Sequence, residues 1–251
     1  MHMYFGKSAI VFGGSSGIGL ATAKLLYARG AQVVIADIEP PSPSEGEGLR
    51  WVACDVRDEE QIRAGIMQAA EIDGLNWLVY SAGIQRYGSV VDTPADVYDL
   101  VQAVNARGAF LAGRHAVPLM KNGGSIVHVS SVQGSACQAG VAAYAASKGT
   151  LDALTRAMAI DHALQSIRVN AVLPGTVDTP MAHASAESVR GDRTINEVIQ
   201  QWGRFHPMGR VALPEEVAKV IAFLLSDEAS FVTGGSFVAD GGLLANLSVK
   251  L

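Results

Sequence analysis

Residues 10–37, IVFGGSSGIGLATAKLLYARGAQVVIAD, constrain the fold more than any other stretch: an apolar run, a glycine-rich turn, a helical pattern and a second apolar run follow without a gap. Gly13, Gly17 and Gly19 give the spacing GxxxGxG. Glycines let a backbone turn sharply and approach a pyrophosphate, and the N-terminus of the following helix attracts anions. Ser15 or Ser16 can cap that helix, and Ile18, Ala21, Leu25 and Leu26 fall on or near one of its faces. A strand before the loop and an amphipathic helix after it favour a dinucleotide site over a merely tight turn.

Asp37 closes the second apolar run eighteen residues after Gly19. That is close to the ~20-residue offset at which a carboxylate accepts hydrogen bonds from an adenosine ribose. A carboxylate there repels a 2′-phosphate, and positions 36–49 hold no lysine or arginine to neutralise one, so NAD is favoured over NADP.

The alternation continues along the chain. Short β-rich runs recur at 8–12, 32–37, 51–56, 77–83, 125–131, 167–175 and 236–240, with helical periodicity between most of them. Strand alternating with helix predicts βαβ units, a parallel sheet and right-handed crossovers. The piece EPPSPSEGEG (39–48) cannot be helical throughout, so the crossover helix between the second and third strands is expected to be lost or reduced to a turn. There is no internal repeat and no interdomain linker, which leaves one domain over 1–251. The hydrophobic fraction of 49% against 17% charged suits a sheet covered on both faces. With a net charge of −5 and no basic run, a nucleic-acid or anionic-membrane footprint is not expected. Cys54 and Cys137 form no CxxC pair and are read as packing residues of a reduced compartment. The opening MHMYFGKSAIVFGG has no basic region followed by a long apolar one, and no run approaches ~18 apolar residues, so a cytoplasmic location is expected.

In VAAYAASKGT (141–150), Tyr144 stands four residues before Lys148 in a run of small residues. On a helix the two share a face. An ammonium at about 4 Å is worth up to roughly 4 kcal/mol at an effective dielectric of 20, and ~1.4 kcal/mol is one pKa unit. The pair therefore predicts a phenol brought toward neutral pH, with burial opposing. Upstream, IVHVSSVQG ends a strand and offers Ser130 and Ser131 as hydroxyls for a carbonyl oxygen, or as turn residues.

With these motifs in order, residues 7–244 resemble the short-chain dehydrogenase/reductase family. GGSSGIG is similar to its TGxxxGIG loop, with Phe12 where the family has threonine, and YSAG stands in place of NNAG, so that Tyr80 and Ser81 replace both asparagines. The resemblance implies a single-domain, Rossmann-type, doubly wound α/β sheet of about seven parallel strands with helices on both faces. It implies that Asp55 and Val56 of CDV contact adenine, that Ala82 and Gly83 belong to the cofactor site, and that Pro174, Gly175, Val177 and Thr179 of LPGTVDTPM lie at the nicotinamide. It also implies that Ser131, thirteen residues before Tyr144, is the catalytic serine and that Asn105 holds a water linking Lys148 to solvent. Tyr144 then serves as acid/base, and Lys148 lowers its pKa and binds ribose. The implied reaction exchanges a hydride between NAD(H) and a carbon bearing a secondary alcohol.

A substrate lid is expected around 177–210, where His183, Trp202, Phe205 and His206 are candidate contacts. Arg86, Tyr87, Gln133 and Gln138 are further candidates. The polar set suggests a sugar, cyclic diol or other hydroxylated small molecule. An NADH-dependent reductase of an activated carbonyl or hydroxysteroid is an alternative, and a non-catalytic NAD sensor is another. His183 and His206 are too isolated to argue a metal. The resemblance implies a homotetramer paired through 95–119 and 144–164, with the C-terminal DGGLLANLSVKL near a subunit contact.

Overall fold

A computed structural model describes residues 4–71, 74–120 and 123–247. Seven parallel strands form one sheet in the order β3-β2-β1-β4-β5-β6-β7. They are β1 Ser8–Phe12, β2 Gln32–Asp37, β3 Arg50–Ala53, β4 Trp77–Tyr80, β5 Gly124–Val129, β6 Ile167–Pro174 and β7 Ser236–Ala239. All seven expected runs are strands because a sheet buried on both faces writes itself as continuous apolar sequence. Several end earlier than expected: β3 stops at Ala53, beyond which Asp55 and Asp58 close a turn through the Asp58 N–H and the Asp55 carbonyl.

The helices are α1 Gly17–Ala28, α2 Glu59–Ala69, α3 Ala95–Gln102, α4 Gly108–Ala116, α5 Ala142–Asp161, α6 Pro180–Val189, α7 Ile195–Gly203 and α8 Pro214–Leu225. One core lies between the sheet and α2, α4 and α5, built on Ile10, Phe12, Leu78, Tyr80, Ile126 and Leu151. The other lies under α1 and α8, on Val11, Ile35, Val79, Val127, Ile221 and Leu224. No helix joins β2 to β3: residues 38–49 hold only turns, as the proline and glycine content requires. Between α3 and α4 the chain forms a π-turn, Ala103–Arg107. The segment 177–210 holds α6 and α7, and a parallel bridge from Val177 to Ala212 ties its start to the chain just past its end. Of the C-terminal stretch placed at a subunit contact, residues 248–251 lie outside those described.

Strand order 3-2-1-4 reverses direction between β1 and β4. In an open α/β sheet the crevice outside the carboxyl ends of the strands at such a switch point is where ligands bind.

Candidate active site

That crevice is a cavity of about 1120 Å³. Gly13, Ser16, Gly17 and Ile18 line it from the β1–α1 turn, Asp37 from the end of β2, and Asp55 and Val56 from beyond β3. Ala82 and Gly83 follow β4, Ser131 follows β5, and α5 contributes Tyr144 and Lys148. Pro174, Gly175, Val177 and Thr179 close the far side. The structure thus brings most of the expected site residues to one cavity. Ser15, Gly19 and Asn105 are not among the residues that line it.

The glycine turn has the shape its spacing requires. Gly13 has φ +71, and a Cβ on Gly19 would lie 2.0 Å from the Gly13 carbonyl oxygen, so the first turn of α1 can pack against the loop only without a side chain. The first N–H groups of a helix have no intrahelical acceptor and carry the positive end of its dipole. A cradle of bare backbone facing a cavity fits a dinucleotide pyrophosphate. The expected cap is absent: Ser16 occupies the N-cap position without a side-chain capping bond. The Ser15 hydroxyl instead donates to the Glu39 carbonyl (2.6 Å). The Ser15 N–H donates to Asp37 Oδ2 (3.0 Å) and the Ile38 N–H to Oδ1 (2.8 Å), so the Asp37 carboxylate is fixed at the strand end. Arg57, a cation the sequence reading did not single out, lines the same end but grips Asp55. Hydrogen bonding from Arg57 holds the Asp55 carboxyl below its ordinary range.

Tyr144 and Lys148 lie one turn apart on α5, both buried. Lys148 Nζ sits 5.5 Å from the centroid of the Tyr144 ring and donates to the Val129 carbonyl (2.8 Å). The ammonium lies over the ring, and burial, which was expected to oppose it, is the larger influence on the phenol. Burial pushes Tyr144 up to about 12, with the hydrogen bond from Ser131 acting in the opposite sense. Burial likewise pushes Lys148 down to about 8, with Asp152 acting in the opposite sense. Of the two serines, Ser130 donates to the Lys148 carbonyl (3.2 Å), whereas Ser131 Oγ accepts from the Gln133 N–H (3.2 Å) and lies beside the phenol.

Asn105, in the π-turn, is fully buried. Its amide donates to the Ile84 carbonyl (2.9 Å) and to Ser147 Oγ (3.0 Å), and its Oδ1 accepts from the Ile84 N–H (2.8 Å). Both side-chain donors are spent, so the side chain has none left for a relay water. Tyr80, which stands where the resemblance expects asparagine, donates its hydroxyl to the Val104 carbonyl in the same π-turn.

Thr179 caps α6 through the Ala182 N–H (3.3 Å), and its methyl would lie 3.0 Å from a Cβ on Gly17, so this segment closes against the glycine turn. Trp202, Phe205 and His206 line the cavity. His206 is buried and braced, with Nδ1 at 2.6 Å from the Asp240 carbonyl and Nε2 taking the Thr176 N–H at 3.4 Å. His183 does not reach the cavity lining and pairs with Asp178 (2.6 Å). Among the described residues no group of three or more His, Cys, Asp or Glu is placed to hold a metal.

Two expectations need correction or extension. Cys54 is packed, its thiol pushed up to about 12 by burial, but Cys137 is exposed at the cavity and donates to the Gln133 carbonyl (3.4 Å). Asp152 is buried one turn beyond Lys148, and burial raises its pKa. The spacing 144, 148, 152 carried that signal, since residues four apart share a helix face.

The chain matches the family model described as enoyl-(acyl carrier protein) reductase over residues 13–244. It is 40% identical to the cis-4-hydroxycyclohexanecarboxylate dehydrogenase of Sinomonas cyclohexanicum, over 95% of this chain and 97% of that one. It is 38% identical to the 3-oxoacyl-[acyl-carrier-protein] reductase FabG of Thermotoga maritima, over 95% and 98%. The ligand-free aldohexose dehydrogenase of Thermoplasma acidophilum superposes with a TM-score of 0.94 at 36% identity, covering 99% of this chain and 98% of that one.

Proposed function

The chain belongs to the short-chain dehydrogenase/reductase family, and from that premise we propose that it interconverts a secondary alcohol and a ketone by hydride transfer with NAD(H). The observation that carries the proposal is the meeting of Ser131, Tyr144 and Lys148 with the glycine turn and Asp37 in one cavity. When bound, the nicotinamide supplies a site that takes a hydride from, or returns one to, the carbon bearing the oxygen. The residues Gly13, Ser16, Gly17, Ile18, Asp37, Asp55 and Val56 would hold the adenosine and pyrophosphate, and Ala82, Gly83, Lys148, Pro174, Gly175, Val177 and Thr179 the remainder.

Tyr144 handles the proton. In oxidation its phenolate removes the alcohol proton while Ser131 donates a hydrogen bond to the substrate oxygen, and in reduction the phenol returns the proton to the carbonyl oxygen. Lys148 places positive charge beneath the ring, favouring the phenolate that forms in the reductive direction. Asn105 acts by fixing Ile84 and Ser147 around the site. The same residues also serve a second reading within this chemistry, reduction of a carbonyl with NADH, in which the buried phenol is the proton donor.

The substrate we propose is a hydroxylated small molecule. Relatives at similar identity are named for cis-4-hydroxycyclohexanecarboxylate, an aldohexose and a 3-oxoacyl-[acyl-carrier-protein], so identity does not select among them. NAD is preferred over NADP because the fixed Asp37 carboxylate meets a 2′-phosphate with like charge while Arg57 is engaged by Asp55. A homotetramer in the cytoplasm completes the proposal; the exposed Phe110 on α4 and Ile160 on α5 supply apolar surface for such pairing.

The test is initial-rate NADH formation against sugars, cyclic diols and hydroxysteroids, with ketones assayed in reverse and NADP in parallel. We expect NAD to be favoured by about 100-fold, since like charges brought together cost several kcal/mol and each ~1.4 kcal/mol is a factor of ten. Asp37→Ser should shrink that ratio. Tyr144→Phe should lose at least about 100-fold in turnover while still quenching NADH fluorescence. Full activity in Tyr144→Phe refutes the assignment.

A further inference from the structure

The loop joining β4 to α3 lines the cavity through residues 81–87, and the span 84–88 is clamped at both ends by the catalytic region itself. At one end Ile84 exchanges two hydrogen bonds with the Asn105 amide, at 2.8 and 2.9 Å. At the other, Gly88 donates to the Gly140 carbonyl (2.8 Å) and accepts from the Ala142 N–H (3.3 Å), two residues ahead of Tyr144 on α5. The span between the clamps cannot swing away from the phenol without breaking one of them. Tyr87, within it, lies near enough to the Tyr144 hydroxyl to oppose its ionisation. Arg86 occupies the middle of the span and lines the same cavity as Ser131 and Tyr144.

The surroundings of Arg86 define what it can bind. Its one hydrogen bond among the described residues runs from Nη1 to the neighbouring Gln85 carbonyl (2.9 Å), and no carboxylate pairs with it there. The carboxylates that line the cavity, Asp37 and Asp55, stand at the far end beyond β2 and β3. Lys148, the cation over the phenol ring, is committed to the Val129 carbonyl. The cavity therefore holds a guanidinium without an anion, and Gln133, Gln138, Trp202 and Phe205 line the same cavity. A guanidinium is a planar fork of five N–H donors that matches a carboxylate bidentately and stays charged at any working pH.

We infer that the substrate carries a carboxylate that Arg86 binds, so that the protein acts on a hydroxy acid or the corresponding keto acid. The inference rests on the oxidoreductase reading and deepens it. Arg86 fixes the end of the molecule remote from the reacting carbon, and Tyr144 and Ser131 act on the hydroxyl.

The experiment uses matched pairs, 3- and 4-hydroxycyclohexanecarboxylate each against its carboxamide. Turnover is followed with NAD, and binding to the protein loaded with NADH is followed by fluorescence. In the unaltered protein the acid should be favoured by about 10- to 100-fold in kcat/KM or in binding, chiefly through KM. Arg86→Gln should bring the ratio near one, and Arg86→Lys should restore only part of it, because an ammonium lacks the fork. Thermal melting verifies that each variant is folded. A ratio near one in the unaltered protein, or an acid preference that survives in Arg86→Gln, overturns the assignment to Arg86. The two readings fail separately: amides oxidised as fast as acids remove the carboxylate and leave the oxidoreductase, whereas acid-selective binding without any turnover keeps Arg86 and removes the oxidoreductase.

Discussion

At the scale of single residues, the chemistry of the cavity turns on burial outweighing proximity. Tyr144 and Lys148 are neighbours, yet each is pushed by desolvation toward its neutral form, the phenol up to about 12 and the amine down to about 8. Asp152 acts on Lys148 in the other direction; it packs beside Ser130, just past the end of β5, and has Arg156 one turn further along α5. Two expectations follow for carbonyl reduction, measured as kcat/KM against pH. The rate should fall as pH rises through about 8, where Lys148 loses its charge. Asp152→Asn should move that limb toward lower pH, because an anion nearby raises an ammonium pKa and its removal lowers it. A limb that stays in place in the variant refutes the role given to Asp152. The residues of this site were legible in the sequence wherever a motif fixes a spacing, as for Ser131, Tyr144 and Lys148. The direction of the Tyr144 shift was not, because spacing says that two side chains share a face and says nothing of how deeply the fold buries them. Arg57 escaped notice for a similar reason: its grip on Asp55 depends on how the turn after β3 closes.

At the scale of elements, the feature peculiar to this chain is how the π-turn is held. Tyr80 ends β4 fully buried, and its hydroxyl reaches the Val104 carbonyl, so the strand end and the turn bearing Asn105 are joined by a side chain where the family uses asparagine. The phenol fits because position 108 is glycine: a Cβ there would lie 2.1 Å from the Tyr80 hydroxyl and 3.2 Å from the ring carbon bearing it. Gly108→Ala should therefore destabilise the protein by about 1–3 kcal/mol through overpacking. Tyr80→Phe should cost about 0.5–1.5 kcal/mol by removing the hydrogen bond to the Val104 carbonyl. Together they should cost less than the sum, because phenylalanine lacks the oxygen that the new methyl strikes. Urea unfolding of the four proteins gives the coupling, and strict additivity refutes the contact. The strands, by contrast, could be read directly, since burial on both faces leaves continuous apolar runs, and so could the missing helix after β2, where proline and glycine forbid one. No residue pattern in VNARG marks a turn one residue looser than an α-helix. The departure at Tyr80 was visible in YSAG, but the atom it reaches depends on tertiary packing.

At the scale of the whole molecule, a sheet covered on both faces leaves its central strands without water, and β5 carries an ionisable group there. His128 is fully buried, with Nδ1 at 2.8 Å from Thr155 Oγ1 and Nε2 without a partner among the described residues. Burial, with the Lys148 charge adding to it, lowers its pKa from 6.5 to about 4. The folded protein thus keeps this imidazole neutral in a range where the unfolded chain protonates it. Between pH 6.5 and about 4 the unfolded state binds more protons, so stability falls as pH falls, with the loss complete below about 4. At ~1.4 kcal/mol per pKa unit the loss amounts to about 3 kcal/mol. Asp152 works against this, since its raised pKa makes the folded state the better proton acceptor at the acid end of the same window. The two are separated by difference. Thermal unfolding from pH 8 to pH 4 should show Tm of the unaltered protein dropping more steeply than that of His128→Gln, whose own Tm is lower at pH 8 but which has no imidazole to protonate. Parallel curves would mean that the neutral histidine at the centre of the sheet does not set the acid limit of the fold.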